Sequence, residues 1–158
     1  MKLNLAGENE VRHAYEEILA SVARLHPGAA LQGMVVQKMV PKGRETILGM
    51  SRDPHFGPLL MFGLGGTWVE VFRDVNFQLA PISEDWALKM IQGLKGYRTL
   101  TSFRGEPAAD LAAIVESLER LSQMALDFAE LKELDINPFM VFEEGKGAAA
   151  LDARIFIG

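Results

Sequence analysis

No cysteine occurs among the 158 residues, which excludes a disulfide framework, a thiol nucleophile and any cysteine-bound zinc. The lack of thiols also suits a reducing compartment. No apolar run approaches the ~18 residues that cross a bilayer, and the opening MKLNLAGENE lacks the apolar stretch of a signal peptide. The expectation is a soluble, cytoplasmic protein with no membrane partner. Positive charge is scarce and scattered: 16 Lys and Arg stand against 21 Asp and Glu, a formal net charge of -5. The clustered basic residues that hold a nucleic-acid backbone are missing, so nucleic acid is not an expected partner. A single nucleotide needs only a few local charges and backbone N–H groups, and composition does not exclude it.

Familiar chemical signatures are also scarce. The three histidines His13, His26 and His55 lack metal-ligand spacing, and no Ser, His and acid set stands out for nucleophilic catalysis. No G-x-x-x-x-G-K-[ST] occurs. FGLGG at residues 62–66 is not G-x-G-x-x-G, because Trp68 fills the last position, and a glycine bend competes with an anion nest there.

Nearly half of the chain, 49%, is hydrophobic, enough for one core, so residues 1–158 are expected to form a single unit. KLNLA (2–6) alternates like a short strand. From Val11 to Leu25 the apolar residues follow helical spacing, which HPG (26–28) ends. LQGMVVQKMV and ETILGMS predict two strands around a basic PKGR turn. PLLMFG predicts a third, and WVEVFRDVNFQLAPI one or two more. Ser83 is placed to cap a helix with Trp86, Met90 and Leu94 inward. Asp110 is placed to cap a longer one, whose stripe runs from Leu111 through Ile114 and Leu118 to Phe128. KGYRTLTSFRGEPAA (95–109) between them is a candidate ligand-edge loop. The fold class expected is α+β, a mostly antiparallel sheet with helices packed on one side.

The stretch LDINPFMVFEEGKGAAALDARI (134–155) carries the most chemistry. A tight turn at Glu144 and Gly145 sets Asn137 opposite Asp152 and Asp135 opposite Arg154. Period two puts Leu134, Ile136, Met140 and Phe142 on one face, and Asp135, Asn137, Phe139 and Val141 on the other. Cross-strand Cβ atoms lie about 5 Å apart, so Asn137 and Asp152 can share one magnesium ion with a polyphosphate. A solvated face with an ordinary Asp135 to Arg154 ion pair is the competing reading. Pro138 signals an edge position or a bulge. In VVQKMVPKGRETILGM (35–50), the backbone of Gln37 to Val40 is a candidate wall for a flat ring with Glu45 facing it, and a plain hairpin with solvated Lys42 and Arg44 is the alternative.

Taken in order, VVQKMVPKGRETILGM and the residues after it to Ile82, then SFRGEP, then ELDINPFMVFEEGKGAAALDARI resemble the carboxyl-terminal part of the ATP-grasp domain of ADP-forming acyl-CoA (acetyl-CoA) synthetases. The succinyl-CoA synthetase β subunit and the ATP-grasp module of protein lysine acetyltransferases are similar. The resemblance implies ATP or ADP with Mg as ligands. It implies adenine contacts from Gln37, Lys38, Met39 and Val40, Glu45 toward the ribose or phosphates, and Asn137, Asp152 and Asp135 at the metal. It further implies phosphoryl transfer that a histidine relays to an acyl-CoA reaction. The other ATP-grasp subdomain and the relay histidines are not matched, and none of His13, His26 and His55 takes the relay role. The implied role is one jaw of a clamp, partnered by a complementary synthetase subunit or domain. A non-catalytic nucleotide-binding or regulatory module is the alternative, with self-association to a homo-oligomer through an exposed apolar surface.

Overall fold

The computed structural model describes residues 1–66, 73–102 and 105–158. Residues 67–72, which include Trp68 and the rest of WVEVFRDVNFQLAPI before Arg73, lie outside them, as do Phe103 and Arg104 of SFRGEP. The chain divides into two compact units, Met1–Pro41 and Lys42–Gly158.

The first unit is built on one helix, α1 (Glu8–Leu25). Gly7 precedes it, and Glu10 reaches back to accept the Ala6 N–H at 2.8 Å, fixing the chain as it enters the helix. Glu8 and Glu10 in the first turn and Arg24 in the last oppose the helix dipole. Neither strand expected in this unit forms. Asn4 adopts φ 59°, which breaks the alternation of KLNLA. LQGMVVQKMV has no ladder partner, and Val35 and Val36 are exposed. Strand β1 (Arg44–Asp53), its intended neighbour, already pairs with β2 on one edge and β4 on the other. A strand with neither edge free cannot accept a hairpin partner, so the basic turn joins no ladder.

The second unit is an antiparallel sheet. To β1 it adds β2 (Gly57–Leu64), β3 (Val75–Leu79), β4 (Leu131–Val141), β5 (Ala148–Ala150) and β6 (Ala153–Ile157). The order is β3-β2-β1-β4-β5, and β6 pairs with β4 beyond β5. Thr46, Leu48 and Met50 of β1 share one face with Leu60, Phe62 and Leu64 of β2, all buried. Helices α2 (Glu84–Gln92) and α3 (Leu111–Asp127) cover that face.

The stripe of α2 is Ala87, Met90 and Ile91, continued by Leu94. Trp86 lies one residue off it, 46% exposed, with the Lys89 ammonium 4.4 Å from its ring centre, a cation–π arrangement. Ser83 holds the N-cap position, but its side chain makes no capping bond. In α3 the stripe holds from Ile114 to Ala125, and Phe128, just past the end of the helix, is exposed. Arg52 fixes that end: its guanidinium donates to the carbonyls of Ala125 in the last turn, of Phe128 just past it and of Leu131 at the start of β4, tying the helix end, which has no further turn to supply donors, to the strand that follows. The described parts of this segment, residues 95–102 and 105–109, are more structured than a free loop. A short 3-10 helix spans Tyr97–Thr99, Leu100 is fully buried, and Arg44 donates to the Thr99 carbonyl and pairs with Glu106 at 2.7 Å.

Candidate functional site

Strand β4 carries an irregularity that decides which side chains face outward. Thr46 pairs with Phe139 and Leu48 with Ile136, so Ile47 alone stands opposite Asn137 and Pro138. That extra residue is a β-bulge, and one extra residue reverses which face each later side chain takes. Leu134 on one side of it and Phe139 and Val141 on the other all enter the core, while Asp135, Asn137 and Met140 share the opposite face. The uninterrupted alternation expected from sequence is thereby corrected: Phe139 and Val141 leave the polar set, and Met140 joins it. Pro138 does mark a bulge, and it sits in a strand paired on both sides, not at an edge.

Thr46 secures the bulge. Fully buried, its hydroxyl donates to the Phe139 carbonyl at 2.8 Å. Thr46→Val keeps the shape and removes this buried side-chain hydrogen bond. Urea unfolding is expected to show a loss of about 1.5 kcal/mol, with an unchanged denaturant slope.

Across the bulge the hairpin closes as its spacing predicts. The turn falls at Glu144 and Gly145, with the Lys146 N–H donating to the Glu143 carbonyl at 2.9 Å and Gly145 at φ 77°, the left-handed backbone that favours glycine. Asp135 pairs with Arg154, and the Asn137 N–H donates to the Asp152 carbonyl at 3.1 Å. Asp135, Asn137, Asp152 and Arg154 line one cleft of about 100 Å³. Asn137, Asp152 and Arg154 are exposed and Asp135 is half-buried, so the cleft opens to solvent. Among the described residues none of these four side chains makes a hydrogen bond or ion pair within the chain, and the ladder partners Asp135 and Arg154 form no salt bridge. The ordinary ion pair of the competing reading is absent. Two carboxylates and an amide oxygen, all hard oxygen donors, suit magnesium. No three His, Cys, Asp or Glu converge among the described residues, so protein carboxylates alone do not complete a coordination shell. Magnesium that keeps several waters or phosphate oxygens does not require that they do.

Glu45 pairs with Met140 on the same outer face as Asp135 and Asn137. A second cleft of about 320 Å³ is lined by Glu45, Gly65, Gly66 and Met140, with Lys42 and Arg44 at its side. The glycines after Phe62 turn the chain back against β1: the Gly65 N–H donates to the Glu45 carbonyl at 2.7 Å. That amide is spent on backbone, which favours the bend over an anion nest. Sequence reasoning missed Gly65 and Met140 as neighbours of Glu45, and the pairing of two strands distant in sequence is what joins them.

The remaining predicted contacts belong to the first unit. Gln37, Lys38 and Met39 line a largely apolar groove of about 560 Å³ together with Val11, Tyr15 and Ile18 of α1; Val40 is half-buried and stands outside that lining. Lys2, also on the groove, lies 2.6 Å from Glu17 and holds that carboxyl below its usual range. His13 is exposed, 3.5 Å from Glu17, and exposed His55 donates its backbone N–H to Asp53. No helix among the described residues is long and apolar enough to cross a membrane.

Comparison with known proteins gives this geometry a family. Residues 1–157 match the model of the ATP-grasp domain. The chain is 48% identical over 158 residues to an ADP-forming acetate–CoA ligase of Archaeoglobus fulgidus, covering all of this chain and 23% of that protein. It is 41% identical over 157 residues to the β subunit of ADP-forming acetate–CoA ligase I of Pyrococcus furiosus, covering 99% of this chain and 67% of the subunit. Among solved structures, acetyl-coenzyme A synthetase 1 of Ca. Korarchaeum cryptofilum superposes with a TM-score of 0.88 at 46% identity in its complex with coenzyme A and Ca-AMPCP, over 99% of this chain and 68% of that one. In the complex of that enzyme with coenzyme A and Mg-AMPPCP the values are 0.83 and 42%, over 99% and 67%. The chain thus spans about a quarter of the first relative and two thirds of the others. With a match that runs nearly end to end, the chain belongs to the ATP-grasp domain family.

Proposed function

We propose that this chain is the nucleotide- and magnesium-binding half of an ADP-forming acyl-CoA synthetase, which converts acyl-CoA, ADP and phosphate to a carboxylic acid, ATP and CoA. The observation that carries the reading is the meeting of Asp135, Asn137 and Asp152 in one open polar cleft of an ATP-grasp chain. It is supported by the relatives, which are ADP-forming CoA ligases, and by the solved one that holds Mg-AMPPCP.

In this reading Asn137 and Asp152 hold the ion, and Asp135 orients it or its waters. Bound there, the metal would supply charge neutralisation for the polyphosphate, the main requirement of phosphoryl transfer. Glu45 faces the ribose or phosphates. Gln37, Lys38, Met39 and Val40 flank the adenine, for which an apolar groove with a few polar edges is the usual chemistry. The chain acts as one jaw, and a complementary subunit or domain supplies the other subdomain and the relay histidine; the naming of one relative as a β subunit fits such a division. A cytoplasmic location suits a cysteine-free chain that works on nucleotides.

Calorimetric titration of Mg-ADP into this chain, together with its complementary segment, tests the reading. Asp152→Ala is expected to weaken binding by tenfold or more, about 1.4 kcal/mol. Equal affinity in the two proteins would overturn it.

A further inference from the structure

We propose that Arg154 makes the cleft selective for a metal-bound polyphosphate over the bare divalent cation. The inference rests on the reading of Asp135, Asn137 and Asp152 as the metal site, and it assigns the one member of the cleft that cannot be a metal ligand.

A guanidinium directly opposite a carboxylate in an antiparallel ladder ordinarily pairs with it. Here Arg154 stands opposite Asp135 and lines the cleft with Asp152, yet it forms no ion pair with either. The side chain therefore keeps its donors available beside two carboxylates that keep their acceptors. Three formal charges share a space of about 100 Å³: two negative and one positive, a balance of one negative charge.

For a hydrated divalent cation entering alone, that balance is poor. The carboxylates attract it, but the positive guanidinium beside them opposes it. A cation that arrives with a polyphosphate changes the sign of the second interaction. The phosphate oxygens face the guanidinium, whose planar fork of donors matches them in a way a carboxylate-only site could not. The same residue thus penalises the bare ion and rewards the complex. The class of ligand selected is a nucleoside di- or triphosphate carrying its own divalent ion.

Binding of bare Mn²⁺, measured by the loss of the free-ion electron spin resonance signal, and of preformed Mn²⁺–ADP, measured by calorimetry, tests this without reference to catalysis. Wild type, Arg154→Met, Arg154→Lys and Asp152→Ala, each together with the complementary segment, are titrated with both. Arg154→Met is expected to bind bare Mn²⁺ about fivefold more tightly and the Mn²⁺–ADP complex about tenfold more weakly, opposite shifts of about 1 and 1.4 kcal/mol. Arg154→Lys, which keeps the charge and loses the fork, is expected to match wild type for the bare ion and fall between for the complex. An Arg154→Met protein whose two affinities move together or stay put, while Asp152→Ala weakens both, overturns the role of Arg154 and leaves the metal site standing. No effect of Asp152→Ala on either, or no Mn²⁺–ADP binding by wild type, overturns the site reading and this inference with it.

Discussion

Asp110→Ala is expected to lose about 3 kcal/mol of unfolding free energy, roughly one from the helix cap and the rest from a charged acceptor that joins two elements. The carboxylate is buried, with one oxygen accepting the Ala113 N–H of the first turn of α3 at 3.1 Å and the other accepting the Gly147 N–H of the hairpin at 2.8 Å. Its own N–H donates to the Phe142 carbonyl at 2.9 Å, and the Glu144 N–H donates to the Ala108 carbonyl at 3.0 Å. One residue therefore ties the start of the long helix to the turn that sets the β4–β5 register.

The Gly147 N–H holds the Asp110 carboxyl below its ordinary range; burial opposes this, and the Ala113 N–H assists. A carboxyl whose folded pKa is depressed contributes stability that is fully present above the unfolded value of about 3.9 and is lost as pH falls through the folded one. Wild type is thus expected to weaken on acidification below about pH 4, and Asp110→Asn to show a shallower acid limb and an intermediate loss at pH 7. Urea unfolding of the three proteins between pH 3 and pH 7 measures both effects. An alanine protein within 0.5 kcal/mol of wild type, or parallel acid limbs in all three, would refute this account of Asp110.

A comparable loss, about 3 kcal/mol, is expected for Gly65→Ala. A Cβ at Gly65 would lie 2.7 Å from the Glu45 carbonyl carbon and 2.8 Å from its oxygen. Both are backbone atoms of a strand paired on two sides, so no side-chain rotation relieves the overlap. The β1–β2 end must open, and the Gly65 to Glu45 hydrogen bond opens with it. Gly66 supplies an internal control. Its φ of 68° makes it the glycine that conformation singles out, yet its nearest neighbour is the flexible Glu45 carboxylate at 3.3 Å. Gly66→Ala should cost only about 1 kcal/mol, the penalty of a left-handed alanine. The order Gly65→Ala worse than Gly66→Ala, read from chemical denaturation, distinguishes close approach from backbone conformation; the reverse order would contradict the packing argument. Because Glu45 moves with that strand end, Gly65→Ala should also disturb the cleft it lines, and Gly66→Ala much less.

The hairpin register was legible because a two-residue turn containing glycine fixes every pair behind it: the sequence places Asn137 beside Asp152, and the ladder carries that pairing along β5 and β6. Strands β1 and β2 and helices α2 and α3 were legible for a similar local reason, since their apolar periods match the faces they bury. What sequence could not supply is whatever depends on a neighbour. The apparent strand at residues 31–40 fails because both edges of β1 are taken, a fact of topology and not of alternation. Trp86 was assigned inward together with Met90 and Leu94, although Ala87, beside it, is the residue that α2 buries. The residues alone left Gln37 to Val40 and Glu45 divided between a ring-binding wall and a plain hairpin, and only family resemblance chose the nucleotide role, whereas the acid and amide set was visible in spacing alone. That Arg154 leaves Asp135 unpaired depends on side-chain geometry, which strand spacing does not carry.

The bulge at Pro138 also limits how this strand can vary in length. Its two halves answer to opposite parities, one set by hydrated acids and amides and the other by packed hydrocarbon. Removing or adding a single residue between Asn137 and Phe139 would force either Asp135 and Asn137 into the interior or Phe139 and Val141 into water. Indels there are barred by both halves at once.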